Sequence, residues 1–195
     1  MAPAPAAWNG VTIKSKAIKP LANTALPALK AAWRSILDAS PVAGYTCDTE
    51  GKITYFNSPA TIAWGRAPEL RHRADRYCGS LRMYGSNGAP IPHEECWMAL
   101  ALRHGRAFNA REVVIERPDG SLLQCLAYAN PMRDPDARVI GAVNMIADLA
   151  LLRTTNTDHT VAPSAATRLK ADTLAIVEVT LAVLAGLSWP ASAFD

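Results

Sequence analysis

The sequence predicts an α+β domain on an antiparallel sheet, placed between a polar leader and an apolar tail. Strand-like runs come in adjacent groups instead of alternating with helices, as they would around a parallel sheet. Helical patterns stand before the first group of strands and between the two groups. The chain has 195 residues, the length of one ordinary domain with extensions or of two very small ones.

The composition excludes several classes of protein. Half of the residues are hydrophobic and 19% are charged, which is typical of neither a disordered nor a fibrous chain. The net charge is +3, from 20 basic and 17 acidic residues, and this balance gives no argument for a nucleic-acid partner. The four cysteines, Cys47, Cys78, Cys96 and Cys125, are far apart and form no CxxC pair. We therefore expect reduced thiols in a cytoplasmic protein.

The chain begins with a predicted disordered leader over 1–25. This stretch is rich in Ala, Pro and Lys, and no acidic residue occurs before Asp38. Prolines and lysines interrupt every run that could form the apolar core of a secretory signal. A first helix is predicted over 26–39, where apolar residues recur at helical spacing. Pro41 ends it, because the residue before a proline avoids the helical region.

Two strands and a capped helix come next. The strands are predicted over 42–47 and 52–56, and the D-x-x-G turn between them ends at Gly51, which can take a positive φ. Asn57 stands before Ser-Pro and is placed to cap a short helix. The following residues, 66–90, have a loop-like pattern.

The second half of the domain begins with a helix and ends with three strands. The helix is predicted over 93–103, with Gly105 just past its end. The strands are predicted over 108–116, 122–131 and 139–149. A strong hairpin turn, Arg-Pro-Asp-Gly-Ser, joins the first two strands.

The C-terminal part divides into a linker and an apolar helix. Residues 154–168 are polar and turn-rich, whereas 169–189 are strongly apolar. Its part from 173 to 189 is shorter than the ~20 residues that span a bilayer, and Glu178 interrupts it. We expect this helix to dock on the domain or on another chain rather than enter a membrane.

Three stretches of the chain resemble PAS domains, the sensor modules of signalling proteins. The first two strands with their D-x-x-G turn and Asn57 resemble the opening of many PAS modules. The R-x-D-G hairpin of Arg117–Gly120 and the G-x-V-x-x-x-x-D-L run of Gly141–Leu149 resemble the closing strands. The middle, YCGSLRMYGSNGAPIPHEECWMALALRHGRAF, is similar to PAS modules that precede bacterial HWE-type histidine kinases.

The resemblance implies a PAS fold over 26–153: a five-stranded antiparallel sheet with helices packed on one face, plus flanking N- and C-terminal helices. It implies a sensory or interaction module in bacterial signal transduction, binding a small ligand or a partner and signalling through the flanking helices. A homodimer through those helices is expected, with a histidine kinase or another signalling effector as a further partner. Neither nucleic acid nor a membrane is expected.

The alternative is a truncated or degenerate sensor histidine kinase without its catalytic domain. The run RLKADTLAIVEVTLAVL faintly resembles the dimerisation helix of such kinases. The phosphoacceptor His of that helix would fall near Thr167 or Arg168, and no His is there. No catalytic motif stands out elsewhere in the chain, so we expect no enzymatic activity.

Five residues are candidates for the lining of a ligand pocket: Trp64, Tyr77, Tyr84, Trp97 and Asn144. The four aromatic residues fall in the part of the chain where PAS domains close their pocket, and they could instead fill the core. Asn144 is a polar residue on an otherwise apolar strand. Its alternative position is the outward face of a half-exposed sheet.

The sequence assigns no cofactor. Cys78, His93 and Cys96 are weak metal or haem candidates, because their spacing is uneven and small buried thiols are common in cores. The flavin-binding light sensors related to PAS domains carry a reactive cysteine in an N-C-R-F-L-Q signature. Nothing here matches it.

Overall fold

The computed structural model describes residues 25–150, 165–187 and Trp189. Most of the predicted leader, 1–24, and most of the predicted linker, 154–164, lie outside the described residues. In chain order the elements are α1 (Ala25–Ala39), β1 (Ala43–Asp48), β2 (Ile53–Phe56), α2 (Ser58–Trp64), β3 (Arg82–Tyr84), α3 (Trp97–His104), β4 (Phe108–Glu116), β5 (Leu122–Arg133), β6 (Val139–Asp148) and α4 (Ala165–Gly186).

The strands form one antiparallel sheet in the order β2-β1-β6-β5-β4-β3, which confirms the predicted α+β class. The sheet has six strands where the sequence predicts five. The additional strand, β3, lies within 66–90 and pairs with β4, so that Met83 stands opposite Ile115. Its three residues are too few to show the alternation by which a strand is recognised.

The predicted helix over 93–103 is two separate pieces. His93–Glu95 form a 3₁₀ turn, and α3 begins only at Trp97. Cys96 lies between them in an extended conformation, with ψ 164°. Gly105 ends α3 in the left-handed region at φ 59°, as predicted from its position.

Both faces of the sheet are covered by helices. The inner face, which carries Tyr45, Cys125 and Ile146, packs against α2 and α3. The outer face, which carries Val143 and Met145, packs against the flanking helices α1 and α4. No helix in the described ranges is both long enough and apolar enough to cross a membrane.

Asn57 ties α1, β1 and α2 together at one buried point. Its Oδ1 accepts hydrogen bonds from the backbone N–H of Gly44 (2.9 Å) and of Ala60 (3.1 Å). Its Nδ2 donates to the backbone oxygens of Leu37 (2.8 Å) and Val42 (2.9 Å). The side chain therefore caps α2, as predicted, and also holds the end of α1 against the first strand.

Gly44 allows α1 to pack closely on β1. A Cβ at this position would lie 2.9 Å from Leu37 Cδ2 and 3.0 Å from Met145 Sδ. These two side chains, from α1 and from β6, consequently meet over the bare backbone of the strand. This contact fixes the position of α1 on the outer face.

Candidate functional site

The space between the inner face and α3 is almost completely filled. Only a cavity of about 20 Å³ remains there, enough for about one water molecule. Its lining residues are Tyr45, Cys78, Met83, Cys96, Trp97, Met98, Val113, Ile115, Ala127, Asn144 and Ile146. Two of the predicted pocket residues, Trp97 and Asn144, thus line the cavity.

Asn144 lies on the inner face at the centre of a buried polar network. Its Oδ1 accepts a hydrogen bond from the Tyr128 backbone N–H at 3.0 Å, and its Nδ2 donates to the Tyr45 hydroxyl at 3.0 Å. That hydroxyl donates in turn to the Tyr77 backbone oxygen at 2.8 Å. The network connects β6 and β1 to the loop before β3, so the outward position considered for Asn144 is not the one observed.

Trp64 and Trp97 occupy different parts of the core. Trp64 is fully buried and packs edge-on against Tyr45, with ring centroids 5.0 Å apart. Trp97 stacks on Phe108 at 5.9 Å, under the Arg111 guanidinium. Its indole Nε1 is buried and has no hydrogen-bond partner among the described residues, which leaves it able to bind a water in the cavity.

Tyr77 and Tyr84 are not part of the cavity lining. The Tyr77 ring covers Gly51, and the Arg76 guanidinium lies 4.8 Å above that ring. The Tyr84 hydroxyl donates to Glu116 Oε2 at 2.5 Å, and this hydrogen bond raises the pKa of the tyrosine. Tyr84 lines an open surface groove instead. Of the five predicted pocket residues, the fold therefore brings only two to the cavity.

The three weak metal candidates are held by local contacts around Ser80. Cys78 Sγ shares a hydrogen bond with Ser80 Oγ at 3.2 Å, and His93 Nε2 donates to the Ser80 backbone oxygen at 3.1 Å. Cys96 is buried beside the cavity. Within the described part of the chain, no group of three or more His, Cys, Asp or Glu residues is placed to hold a metal ion.

All four cysteines are free and buried in the described core. Burial raises the pKa of the Cys47, Cys78 and Cys125 thiols and raises the pKa of Cys96 to about 12. Because the thiolate is the nucleophilic and metal-binding form, these groups are inert in the folded protein. We therefore assign the four cysteines to packing of the core.

The raised thiol pKa values predict a loss of stability at alkaline pH. Below the unfolded thiol pKa of about 8.5, both states keep the protons and stability is complete. As the pH rises from there towards the folded pKa, the unfolded chain releases protons that the folded chain retains, and stability falls. We expect the Cys96→Ala variant to lose about 1 kcal/mol less per pH unit than the unmodified chain between about pH 9.5 and 11.

Urea unfolding followed by circular dichroism at several pH values measures this slope. Asn130→Ala is the control, because it changes a surface amide and removes no titrating group. If Cys96→Ala and the unmodified chain lost unfolding free energy equally with rising pH, the raised pKa of Cys96 would be contradicted.

The outer face forms a second, separate apolar cluster with the flanking helices. Trp33 of α1 lies 5.7 Å from Trp189, and 5.2 Å from Tyr55 in an edge-on arrangement. The Trp189 indole donates to the Leu184 backbone oxygen at 2.8 Å. Val177 and Leu184 of α4 are buried in the same cluster. The sequence pattern placed Trp189 inside the predicted helix over 169–189, whereas α4 begins at Ala165, within the predicted linker, and ends at Gly186, so that Trp189 lies beyond its end.

A groove of about 330 Å³ separates α4 from α2. Ile62 on one wall and Ile176 on the other give it apolar sides, and Arg117, Asp148 and Asp172 are its charged residues. The Arg117 Nε donates to the Ala63 backbone oxygen at 3.0 Å. The groove is many times larger than the inner cavity and opens to solvent.

Solved structures with this arrangement identify the fold. A structure of a variant of the protein RsLOV superposes with a TM-score of 0.54 at 14% identity, over 85% of this chain and 86% of that one. This domain has the PAS fold. The Rhodobacter sphaeroides LOV protein (17% identity, 80% and 93% of the two chains, TM-score 0.48) and a PAS domain from Colwellia psychrerythraea (16%, 62% and 96%, TM-score 0.46) are also similar. No family model matches the sequence, and no curated protein matches it.

The inner cavity of this PAS domain does not fit a large cofactor. Small-molecule pockets generally measure about 300–1,000 Å³, whereas the cavity here measures about 20 Å³. The space that a haem or flavin would need is taken by the protein's own side chains, Met83, Trp97 and Met98 among them. The residues present on the inner face are therefore those of a closed core.

Proposed function

We propose that this chain is a non-catalytic PAS sensory and interaction module of bacterial signal transduction, in the cytoplasm, which signals through its flanking helices α1 and α4. One observation carries the proposal: β6 connects the inner polar network to the outer face on which both helices are docked. The buried free thiols agree with a reducing compartment. A histidine kinase or another signalling protein is the proposed effector.

The connection through β6 follows from strand geometry. Consecutive residues of a strand point to opposite faces, so Asn144 contacts Tyr45 on the inner face while Met145 contacts the flanking helices on the outer face. An input that displaces β6, such as binding in the groove that Ile146 and Ala147 line, would move Asn144 and Met145 together. Met145 also meets Leu37 of α1 over Gly44. The inner network and the helices are thus neighbours across a single layer of backbone.

Signalling of this kind needs two arrangements whose balance an input can shift. The docked arrangement of α1 and α4 is the one observed. In the proposed second arrangement, α4 is released from the outer face. The effector would bind to the face that the helix leaves. The groove between α2 and α4 is the proposed point of input, because it is open, largely apolar and in contact with α4 itself.

The experiment that tests the proposal is hydrogen–deuterium exchange of α4 in a Tyr45→Phe variant. Removing the hydroxyl leaves Asn144 Nδ2 and the Tyr77 backbone oxygen without their buried partner, at a cost of about 1–3 kcal/mol. We expect the amides of residues 173–184 to exchange about tenfold faster than in the unmodified chain, although Tyr45 is on the other face of the sheet.

Ile115→Val is the matched control. It weakens the same inner core by about 0.5–1.5 kcal/mol, but through β4, which β5 separates from the transmitting strand β6. Faster α4 exchange in Tyr45→Phe alone supports transmission through β6. Equal acceleration in both variants, or none in either, would contradict it.

A further inference from the structure

Three exposed arginines lie around the point where α3 ends. Arg106 follows α3, Arg111 is in β4, and Arg133 is the last residue of β5. The Arg133 Nη2 donates to the backbone oxygen of Gly105, the residue before Arg106, at 2.5 Å. None of the three arginines forms an ion pair with a residue that the structure describes. Arg106, Arg111 and Arg133 are called the arginine patch.

Two of these guanidinium groups lie on one aromatic stack. Trp97 and Phe108 stack with their ring centroids 5.9 Å apart. The Arg106 guanidinium lies 4.3 Å from the Phe108 centroid, and the Arg111 guanidinium lies 5.4 Å from the Trp97 centroid. A guanidinium that contacts a ring through its flat face keeps the N–H donors in its own plane available for an anion.

Arg133 is held by backbone oxygens instead of a ring. Its Nη1 donates to the oxygen of Ala137 at 2.6 Å, and its Nη2 donates to that of Gly105. All three side chains are therefore supported by the fold before a partner arrives. Since the ordering of long side chains is one of the costs of association, this support favours binding.

A β-bulge in β4 turns Arg111 towards α3. Asn109 and Ala110 together stand opposite Tyr128 of β5, so the strand gains one residue between Phe108 and Arg111. Without it, the alternation of a strand would place these two side chains on opposite faces of the sheet. Ala110 takes φ 53°, which the β-carbon of alanine disfavours. Bulges that redirect a side chain in this way are common beside functional sites.

The acidic residues next to the patch in the sequence do not neutralise it. Glu112 lies on the outer face of the sheet, beside the neighbouring outer residues of β4 and β5. The Asp134 Oδ1 accepts hydrogen bonds from two backbone N–H groups of its own turn. Asp136 pairs with Arg138 at 3.1 Å. The patch is therefore a positive surface whose counter-charge has to come from a partner.

The size and chemistry of the patch favour a short acidic peptide segment over larger polyanions. Anionic membranes generally recruit clusters of about 4–8 basic residues, and DNA-binding proteins make about 6–10 phosphate contacts. The rings of Trp97 and Phe108 lie beneath arginines, so they are not placed to stack on bases. The planar fork of arginine matches a carboxylate in a bidentate pair.

We propose that the arginine patch binds a short acidic segment of a partner protein, whose carboxylates form bidentate pairs with the guanidinium groups. The proposal does not depend on the signalling role argued above, because the patch lies on the α3 side of the sheet and its test involves neither α4 nor the inner network. The function proposed for the flanking helices and this binding site can therefore fail separately.

Fluorescence anisotropy of a fluorescein-labelled octaglutamate peptide, titrated with the full chain at low salt, tests the proposal. We expect Arg111→Glu to raise the dissociation constant at least about tenfold, because it replaces a charge-assisted pair with a repulsion. Arg34→Glu is the matched control. Arg34 is also exposed and lies over an aromatic ring, that of Trp33 at 5.3 Å, but on the outer face of the sheet.

The control variant has the same net charge as Arg111→Glu, and we expect it to change the dissociation constant by less than about twofold. The circular dichroism of both variants is expected to match that of the unmodified chain. Equal dissociation constants for the two variants would overturn the proposal, and so would a lack of peptide binding by the unmodified chain.

Two further titrations test the chemistry of the partner. Arg111→Lys keeps the charge but loses the fork, so we expect the dissociation constant to rise about threefold or more. No change in this variant would overturn the bidentate pairing. A labelled decathymidylate has a similar number of negative charges, and we expect it to bind at least about tenfold more weakly than the peptide. Tighter binding of the oligonucleotide would overturn the choice of a protein segment.

Discussion

Replacing Asn57 with alanine is expected to cost about 3–5 kcal/mol of unfolding free energy. The change removes four hydrogen bonds at one buried point. It leaves the N–H of Gly44 and the backbone oxygen of Val42 without the partner that Asn57 supplies, and the Leu37 oxygen keeps only the hydrogen bond from the Ser40 N–H. Urea unfolding followed by far-ultraviolet circular dichroism measures the loss.

Asn57→Ser separates the two roles of this side chain. Serine can still cap α2 through the Ala60 N–H, but it is too short to reach the backbone oxygens of Leu37 and Val42. We expect serine to recover only about 1 kcal/mol of the loss. If serine restored full stability, Asn57 would be a helix cap and not the connection between α1, β1 and α2.

Replacing Trp33 with alanine is expected to cost about 3–5 kcal/mol and to loosen both flanking helices. The indole is 1% exposed and joins α1 to Tyr55 of the sheet and to Trp189 after α4. Its removal opens a cavity that the short α1 helix cannot close without shifting. Urea unfolding gives the energy, and hydrogen–deuterium exchange of residues 173–184 reports the loosening of α4.

Leu122→Ala is the control for this prediction. Leu122 is a large apolar residue that is 61% exposed, so its truncation is expected to change stability by less than about 0.5 kcal/mol. A similarly small effect for Trp33→Ala would show that α1 does not hold the outer face together.

The long strands could be predicted from the sequence because turn residues bound them closely. The hairpin turn before Ser121 determines the end of β4 and the start of β5, and the observed bounds, Phe108–Glu116 and Leu122–Arg133, agree with the predicted ones to within two residues. Asn57 could be predicted as a cap because it directly precedes Ser-Pro. Its hydrogen bonds to Leu37, Val42 and Gly44 could not be predicted, because each joins residues that are 13 to 20 positions apart in the sequence.

The position of Asn144 could not be deduced from β6 itself. Every residue from Gly141 to Ala147 is buried, so the strand lacks the alternation that distinguishes an inner from an outer face. The outer face is buried because α1 and α4 cover it, and that is a property of the tertiary structure. Tyr84 lies outside the inner cavity, on the three-residue strand that the sequence pattern did not reveal.

The closed inner cavity also depends on packing rather than on pattern. Aromatic residues in the middle of the domain fit a pocket lining and a filled core equally well. Whether the space is an open pocket or a filled core depends on how closely Trp97 and Met98 of α3 approach the sheet at Tyr45 and Asn144. A volume of about 20 Å³ results from many small distances, which no residue spacing encodes.

We propose that this PAS domain has a closed core and acts through its outer face and flanking helices. Native mass spectrometry, together with an absorption spectrum, of the chain purified from cells that produce haem and flavins tests this most directly. We predict masses equal to whole multiples of the chain mass, and no absorption beyond the aromatic band. A stoichiometric haem, flavin or other small molecule held in the folded chain, and released when it is unfolded, would contradict the claim.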